Sequence, residues 1–175
     1  MAEGRNVITV MTTLSVFVYG TLKPGGRYHS QYCGQYSPEI LPAATRGRLY
    51  DFPNLGYPAM TAGDDWVKGY LFRFSQPESV CKTILQNLDA LEGYREDAKE
   101  DRREDESEEL SGTDGGDPNE YERLLLNVFD INTFGSDIGC DEYSFLQTAW
   151  VYRMSLSFVE AGGGVLVPSG DWPVG

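Results

Sequence analysis

The predicted strands of this chain follow one another through connections that are mostly too short to contain a helix. β-Branched and aromatic residues, or alternating apolar and polar residues, mark strands at residues 14–19, 44–51, 67–74, 121–129 and 145–154. Consecutive parallel strands need a crossover of about a dozen residues or more, whereas antiparallel strands need only a turn. The sequence therefore predicts an α+β domain with a small, mostly antiparallel, barrel-like sheet and flanking helices.

One long helix is predicted among these strands, over residues 77–92. Its apolar stripe is formed by Val80, Ile84, Leu88 and Leu91. Ser75 and Glu78 have the spacing of a capping box at its start, and Gly93 supplies a stop at its end. We therefore expect this helix to close at Glu92.

The acidic residues are concentrated in one segment. The chain has 27 acidic and 14 basic residues, a formal charge of -13, and residues 95–120 alone carry 12 acids and 4 bases. We interpret this segment as a disordered insertion in a single domain over residues 15–160, because it is almost without apolar residues. A flexible leader (1–14) precedes the domain. A Gly- and Pro-rich tail (161–175), whose composition does not favour a structured end, follows it.

The insertion itself has two interpretations. A solvated surface loop is favoured, because charge runs of this kind usually remain disordered. The alternative is a lid or a partner-binding segment, because the insertion joins Glu92 almost directly to the next strand.

The charge balance excludes some classes of partner. Nucleic acids and anionic membranes are bound by basic patches, which this acidic chain does not offer. No stretch approaches the ~20 apolar residues of a membrane helix. Cys33, Cys81 and Cys140 are odd in number and widely spaced, which excludes a disulfide framework and suits a reducing compartment. We therefore expect a cytoplasmic protein without nucleic-acid or membrane partners.

His29 is the single histidine, so a histidine-rich metal site cannot be built. His29 and Cys33 are four residues apart, and on one helix face the imidazole could activate the thiol as a nucleophile. A surface histidine near a buried cysteine is the favoured interpretation, because free cysteines are usually buried. We expect no metal and no cofactor.

The first strand ends in the sequence Tyr19, Gly20, Thr21 and Leu22. A glycine at this point lets the backbone approach a ligand closely, and converging N–H groups bind carboxylates or oxyanions without a cationic side chain. An ordinary turn between a strand and a loop is the alternative, because glycine is common in turns.

Glu92 is placed against the local preference of a helix. The carbonyl groups at a helix C-terminus disfavour a negative charge, and this effect together with partial burial raises the pKa of a carboxyl group toward the range of a general base. The alternative is an exposed glutamate that happens to be last in its helix. The sequence thus makes Glu92 a candidate acid/base.

These features together resemble the gamma-glutamylcyclotransferase-like family, in its branch of gamma-glutamylamine cyclotransferases and avirulence-induced-gene-like proteins. The resemblance runs from about residue 15 to residue 154 and is interrupted by the insertion. It is carried by residues 16–23 (VFVYGTLK), 47–50 (GRLY), 57–59 (YPA), 68–72 (KGYLF), 88–94 (LDALEGY) and 149–152 (AWVY).

The resemblance implies a closed barrel-like sheet with a pocket at the turn after the first strand. It also implies a metal-independent enzyme of glutathione metabolism, of acyltransferase or lyase type. Such an enzyme cyclises a γ-glutamyl group to 5-oxoproline and releases an amine or an amino acid. By the same resemblance Tyr19, Gly20, Thr21 and Leu22 hold the substrate and Glu92 is catalytic. Tyr121 matches a tyrosine that opens the next strand near the site.

Two other functions remain open at this point. A non-catalytic module on the same fold would bind a small metabolite in the pocket without turning it over. The second of these functions is hydrolysis, or release of an amine, from a specialised γ-glutamylated metabolite. The sequence leaves open the leaving group of the substrate and the oligomeric state.

Overall fold

The structure, a computed structural model, describes residues 9–96, 121–133 and 143–174. In this part of the chain the strands are β1 (Met11–Val18), β2 (Glu39–Phe52), β3 (Tyr57–Pro77), β4 (Glu122–Asp130), β5 (Ser144–Arg153) and β6 (Val165–Leu166). The α-helices are α1 (His29–Tyr32), α2 (Glu78–Leu91) and α3 (Leu156–Ala161). Short 3-10 turns occupy Gly34–Tyr36 and Ile131–Thr133.

Five of these strands close into a ring. β1 pairs with β3, β3 with β2, β2 with β4, β4 with β5, and β5 again with β1, while β6 adds to β2. Every pairing is antiparallel except that of β5 with β1, which is parallel. The predicted α+β class and the mostly antiparallel, barrel-like sheet are therefore confirmed.

The parallel pair determines which segments meet at one edge of the ring. Val16 of β1 lies opposite Trp150 of β5, so both strands end at the same edge. The antiparallel β4 begins there, because Glu122 pairs with Arg153. The turn that leaves β1 therefore lies beside the end of β5 and the start of β4.

Side chains of β1 alternate between two apolar clusters, as the period of two in a strand requires. The inner cluster, to which every strand of the ring contributes, consists of Phe17, Tyr19, Ala43, Leu49, Met60, Val67, Leu71, Val128, Ala149 and Val151. The outer cluster includes Val16, Val18, Cys33, Phe72, Phe74, Cys81, Ile84, Leu88, Tyr94, Tyr121 and Tyr152. Helix α2 packs on β1 and β3 from the outer side through the stripe predicted for it.

The start of α2 differs from the prediction. The helix begins at Glu78, with Pro77 as its N-cap and no capping hydrogen bond from a side chain. Ser75 instead pairs with Thr13 in the ladder between β1 and β3. Glu78 forms an ion pair with Lys82 one turn further on. The predicted capping box is wrong because β3 continues past Ser75.

Both ends of the described chain are more ordered than the sequence indicates. Met11–Val18 is paired with β3, so residues 11–14 of the predicted leader belong to the sheet. In the predicted tail, β6 pairs with β2, Val167 N–H donates to Leu49 at 2.8 Å, and Lys68 N–H donates to Gly170 at 2.7 Å. Backbone hydrogen bonds thus order a segment whose composition suggested none. The division into leader, domain and tail as a whole stays a prediction.

Residues 1–8, and residues 97–120 of the acidic insertion, lie outside the described residues. The loop and lid interpretations of the insertion therefore stay predictions. Within the described ranges, no helix has both the length and the apolar character needed to cross a bilayer.

Candidate active site

A cavity of about 250 Å³ lies at the edge of the ring where β1 and β5 end. Drug-sized ligands occupy pockets of roughly 300–1,000 Å³, so this cavity suits a small metabolite or a part of one. Its lining includes every site residue that the sequence predicts, namely Tyr19, Gly20, Thr21, Leu22, Glu92 and Tyr121. The structure brings these residues together, and the role of each stays a prediction.

The turn after β1 depends on a glycine. A Cβ atom on Gly20 would lie 2.7 Å from Cγ of Pro58, so only glycine allows this approach to β3. Lys23 N–H closes the turn by donating to the Gly20 carbonyl at 3.0 Å. Among the residues that the structure describes, the N–H groups of Gly20, Thr21 and Leu22 have no backbone acceptor. The backbone of the described residues therefore leaves these three donors available to other acceptors.

The end of α2 fixes the position of Glu92. Glu92 is the C-cap, and its N–H donates to Leu88 at 2.9 Å. Gly93 follows in the left-handed conformation with φ of 66°. Tyr94 N–H then donates back to Asp89 at 2.9 Å, a bond typical of a Schellman ending. The predicted stop at Gly93 is confirmed, and it leaves the Glu92 side chain at the cavity.

Glu92 is half-buried and is the one charged residue among the described residues that line the cavity. Burial raises the pKa of Tyr19, of Cys33 and of Tyr152, and the negative charge of Glu92 adds to each rise. Tyr19 directly follows β1, Cys33 directly follows α1, and Tyr152 is the second-last residue of β5. The charge of Glu92 thus acts on residues of three different elements. The raised pKa expected for Glu92 itself stays a prediction.

Tyrosine hydroxyls tie the elements around the cavity together. The Tyr19 hydroxyl donates to the Tyr152 carbonyl at 2.8 Å and accepts from the Met60 N–H at 3.3 Å. The Tyr121 hydroxyl donates to the Pro58 carbonyl at 3.1 Å. Because buried tyrosine hydroxyls require such partners, these bonds fix the relative positions of β1, β3, β4 and β5.

Sequence reasoning missed part of the lining. Tyr28, Tyr57, Pro58 and Tyr152 also face the cavity. Three of them, Tyr57, Pro58 and Tyr152, lie in segments that carry the family resemblance, and that signal could have identified them. Tyr28 has no comparable signal, because it lies in a loop without periodicity.

The His29 and Cys33 pair does not form a nucleophilic site. The Cys33 side chain is fully buried, and burial raises the pKa of its thiol to about 12. His29 Nδ1 lies 3.0 Å from the Leu22 carbonyl. The interpretation of Cys33 as a buried structural cysteine is therefore favoured. In the described ranges no group of three or more His, Cys, Asp and Glu side chains could hold a metal ion.

Comparison with protein-family models gives one match over nearly the whole chain. The model described as gamma-glutamyl cyclotransferase, AIG2-like matches residues 16–174. A search of curated proteins finds no match. The family model therefore carries the assignment by sequence.

The search of solved structures finds matches from two bacteria and from mouse. YkqA from Bacillus subtilis is 17% identical with a TM-score of 0.51 over 92% of this chain, which spans only 40% of YkqA. The uropathogenic E. coli protein c4763 is 15% identical with a TM-score of 0.51, covering 93% of this chain and 94% of its own length. A mouse AIG2-like protein is 18% identical with a TM-score of 0.45, over 81% of this chain and 77% of its own. At these identities the first two matches show a shared fold alone.

Proposed function

The chain belongs to the gamma-glutamyl cyclotransferase, AIG2-like family, and we propose that it is an enzyme that cyclises a γ-glutamyl group to 5-oxoproline. The γ-amide bond of the substrate breaks, and an amine or an amino acid leaves. We propose further that the reaction needs no metal or cofactor and takes place in the cytoplasm.

One observation supports this proposal most directly. The half-buried carboxylate of Glu92 and the open N–H donors of the turn after β1 line the same small cavity. An intramolecular acyl transfer requires a group that moves protons and a group that holds the substrate. The cavity offers both within a volume suited to a γ-glutamyl group.

Backbone donors account for the binding step. The N–H groups of Gly20, Thr21 and Leu22 meet the carboxylate of the substrate or the oxyanion that develops on its γ-carbonyl. The attack is intramolecular, so an enzyme that holds the chain of the substrate in a folded conformer supplies much of the rate acceleration.

Glu92 accounts for the proton transfers. Its carboxylate takes a proton from the α-ammonium of the substrate, and the free amine attacks the γ-carbonyl carbon to form the new ring bond. The carboxyl group of Glu92 then returns this proton to the nitrogen that leaves, and the old carbon–nitrogen bond breaks. The ring nitrogen loses its second proton as the ring closes, and the released amine takes it up to leave as an ammonium ion. The products are 5-oxoproline and the released amine, and no water is consumed.

A panel of γ-glutamyl amines and γ-glutamyl amino acids, assayed for 5-oxoproline, tests this function. The variant Glu92→Gln keeps the shape of the side chain and removes its proton transfer, so we expect release to fall by about 10²- to 10⁴-fold. Glu78→Gln on the same helix removes an exposed carboxylate paired with Lys82 and should leave the rate unchanged. Near-normal release by Glu92→Gln would overturn the proposed mechanism.

The panel also separates catalysis from binding. A γ-glutamyl compound that binds tightly, measured by calorimetry, but yields no 5-oxoproline would identify the chain as a metabolite-binding module. Release of glutamate in place of 5-oxoproline would identify a hydrolase. Either result would replace the cyclotransferase proposal.

A further inference from the structure

We infer that Asp89 is a positioning residue that holds the Tyr152 hydroxyl away from Glu92. This inference rests on the proposed function, in which Glu92 is the acid/base. It assigns a role to an ion pair outside the cavity lining, formed by Asp89 of α2 and Arg123 of β4.

The first step concerns the only proton of the Tyr152 hydroxyl. This hydroxyl lies 2.7 Å from Oδ1 of Asp89. A carboxylate can only accept, so the hydroxyl must donate its single proton to Asp89. While this bond exists, Tyr152 offers other groups at the cavity only the lone pairs of its oxygen.

The second step concerns what holds Asp89 in place. Its other oxygen, Oδ2, accepts from Nη1 of Arg123, whose side chain is only 7% exposed. The guanidinium lies 4.9 Å from the ring centres of both Tyr94 and Trp150. Nη2 is 3.4 Å from the exposed carboxylate of Glu96, and Nε has no hydrogen-bond partner among the described residues. Asp89, with 16% of its side chain exposed, is therefore the close counter-ion that fixes this cation, and Arg123 in turn fixes Asp89.

The third step concerns Tyr152 and Glu92, which lie at the same cavity. Both residues line the cavity, and the charge of Glu92 is near enough to contribute to the raised pKa of Tyr152. Without Asp89, the Tyr152 hydroxyl would be free to donate into the cavity, in which Glu92 is the one carboxylate among the described lining residues. A hydrogen bond donated to a carboxylate stabilises its charged form and lowers its pKa, which makes it a weaker base. Asp89 prevents this loss of basicity.

Other titratable or charged groups around Glu92 must be the same in the two forms that are compared. They come from each element packed at this edge of the ring and are Tyr19, Tyr28, Cys33, Tyr57, Asp89, Tyr121 and Arg123. The comparison that isolates the inference therefore changes only the Tyr152 hydroxyl in a fixed background.

The test uses the full chain in four forms: wild type, Tyr152→Phe, Asp89→Leu/Arg123→Met, and the triple variant. Removing Asp89 alone would leave a buried cation unpaired and is strongly destabilising. Replacing both partners of a buried pair by apolar residues is often tolerated. Thermal unfolding of each form establishes that it is folded before kinetics are measured.

We expect Asp89→Leu/Arg123→Met to have a lower kcat, and adding Tyr152→Phe to raise its kcat by about three- to tenfold. KM should change much less in this comparison. In the wild-type background Tyr152→Phe should not raise kcat, because the hydroxyl is already held by Asp89. If kcat of the triple variant is no higher than kcat of the double variant, the inference is overturned. The Asp89–Arg123 ion pair would then only stabilise the end of α2.

A titration that does not depend on turnover separates this inference from the proposed function. The Glu92 carboxyl group is followed by carbon-13 NMR and assigned with Glu92→Gln. We expect its pKa to be about one unit lower in the double variant than in the triple variant. Equal pKa values in these two forms would contradict the inference. If the pKa values differ as expected but the wild-type protein releases no 5-oxoproline, the inference about Asp89 stands and the proposed function is refuted.

Discussion

The inner and outer clusters share strand β1 but differ in their ionisable groups. Of the ten residues of the inner cluster, only Tyr19 has an ionisable side chain. The outer cluster includes five, namely Cys33, Cys81, Tyr94, Tyr121 and Tyr152. Both clusters exclude water, so every polar side chain in them needs a hydrogen-bond partner from the protein. The outer cluster has more such side chains than the inner cluster.

This difference separates stability from chemistry along one strand. Phe17 faces the inner cluster, which is almost entirely apolar. Val16 and Val18 face the outer cluster, on which α2 packs and beside which its partly buried carboxylate Asp89 bonds to the Tyr152 hydroxyl. Tyr19 follows the strand at the boundary, with its ring in the inner cluster and its hydroxyl bonded to the Tyr152 carbonyl. The cavity forms at this boundary, where apolar walls and fixed polar groups meet.

Leu71→Ala tests the inner cluster and has the largest expected effect. Leu71 is fully buried and lies outside the cavity lining. Removing its side chain leaves a void among close-packed neighbours, so we expect the free energy of unfolding to fall by about 2–5 kcal/mol. Urea unfolding measures this loss, and kcat of the folded protein at low temperature should be unchanged. A loss of kcat with unchanged stability would contradict the separation of the two clusters.

Cys33→Ala tests the outer cluster through pH. Burial raises the pKa of Cys33 from an ordinary value of 9.0 to about 12. The stability that this thiol contributes is therefore complete below pH 9 and is lost as the pH rises from 9 toward 12, at up to about 1.4 kcal/mol per pH unit. We expect the stability difference between wild type and Cys33→Ala to shrink over this range in urea unfolding. The stability difference between wild type and Leu71→Ala should stay constant over the same pH range. If the difference for Cys33→Ala is constant as well, the contrast between the inner and outer clusters is refuted.

The fold could be predicted from the sequence wherever the pattern is local. The alternation in residues 67–74 and the stripe from Val80 to Leu91 identify a strand and the helix that packs on it. The parallel pairing of β1 with β5 could not be predicted, because it joins residues more than 130 positions apart. Gly162–Gly164 and Gly170 also misled the prediction for the tail, because their composition hides the backbone hydrogen bonds that order it.

The site could be predicted only in part. The turn at Gly20 is visible because a strand pattern stops at a glycine. The helix end at Glu92 is visible because an acidic residue stands against the preference of a helix C-terminus. Asp89 and Arg123 are invisible in the sequence, since a charged residue on a helix or a strand is normally interpreted as solvated. Only the ring closure, which places β4 and β5 beside the last turn of α2, shows that these two charges are buried together.

Asp171→Ala tests the connection between the C-terminal segment and the turn after β1, and has the smallest expected effect. Lys23 directly follows this turn, and its buried ammonium bonds to Asp171 at 2.9 Å and to the Trp172 carbonyl at 2.5 Å. Asp171 is more than half exposed, so water replaces much of what is lost, and we expect the free energy of unfolding to fall by about 1 kcal/mol. KM should rise about twofold, because the donors of the turn lose one restraint while Glu92 is untouched.

A matched control distinguishes this effect from the loss of any surface carboxylate. Asp65 pairs with Arg48 at the same distance of 2.9 Å, but both partners are exposed. Asp65→Ala should therefore leave both stability and KM unchanged. If the two variants behave alike, the buried position of Lys23 contributes nothing. If Asp171→Ala lowers kcat and leaves KM unchanged, the segment acts on the chemistry at Glu92, and the boundary between the clusters extends further than β1.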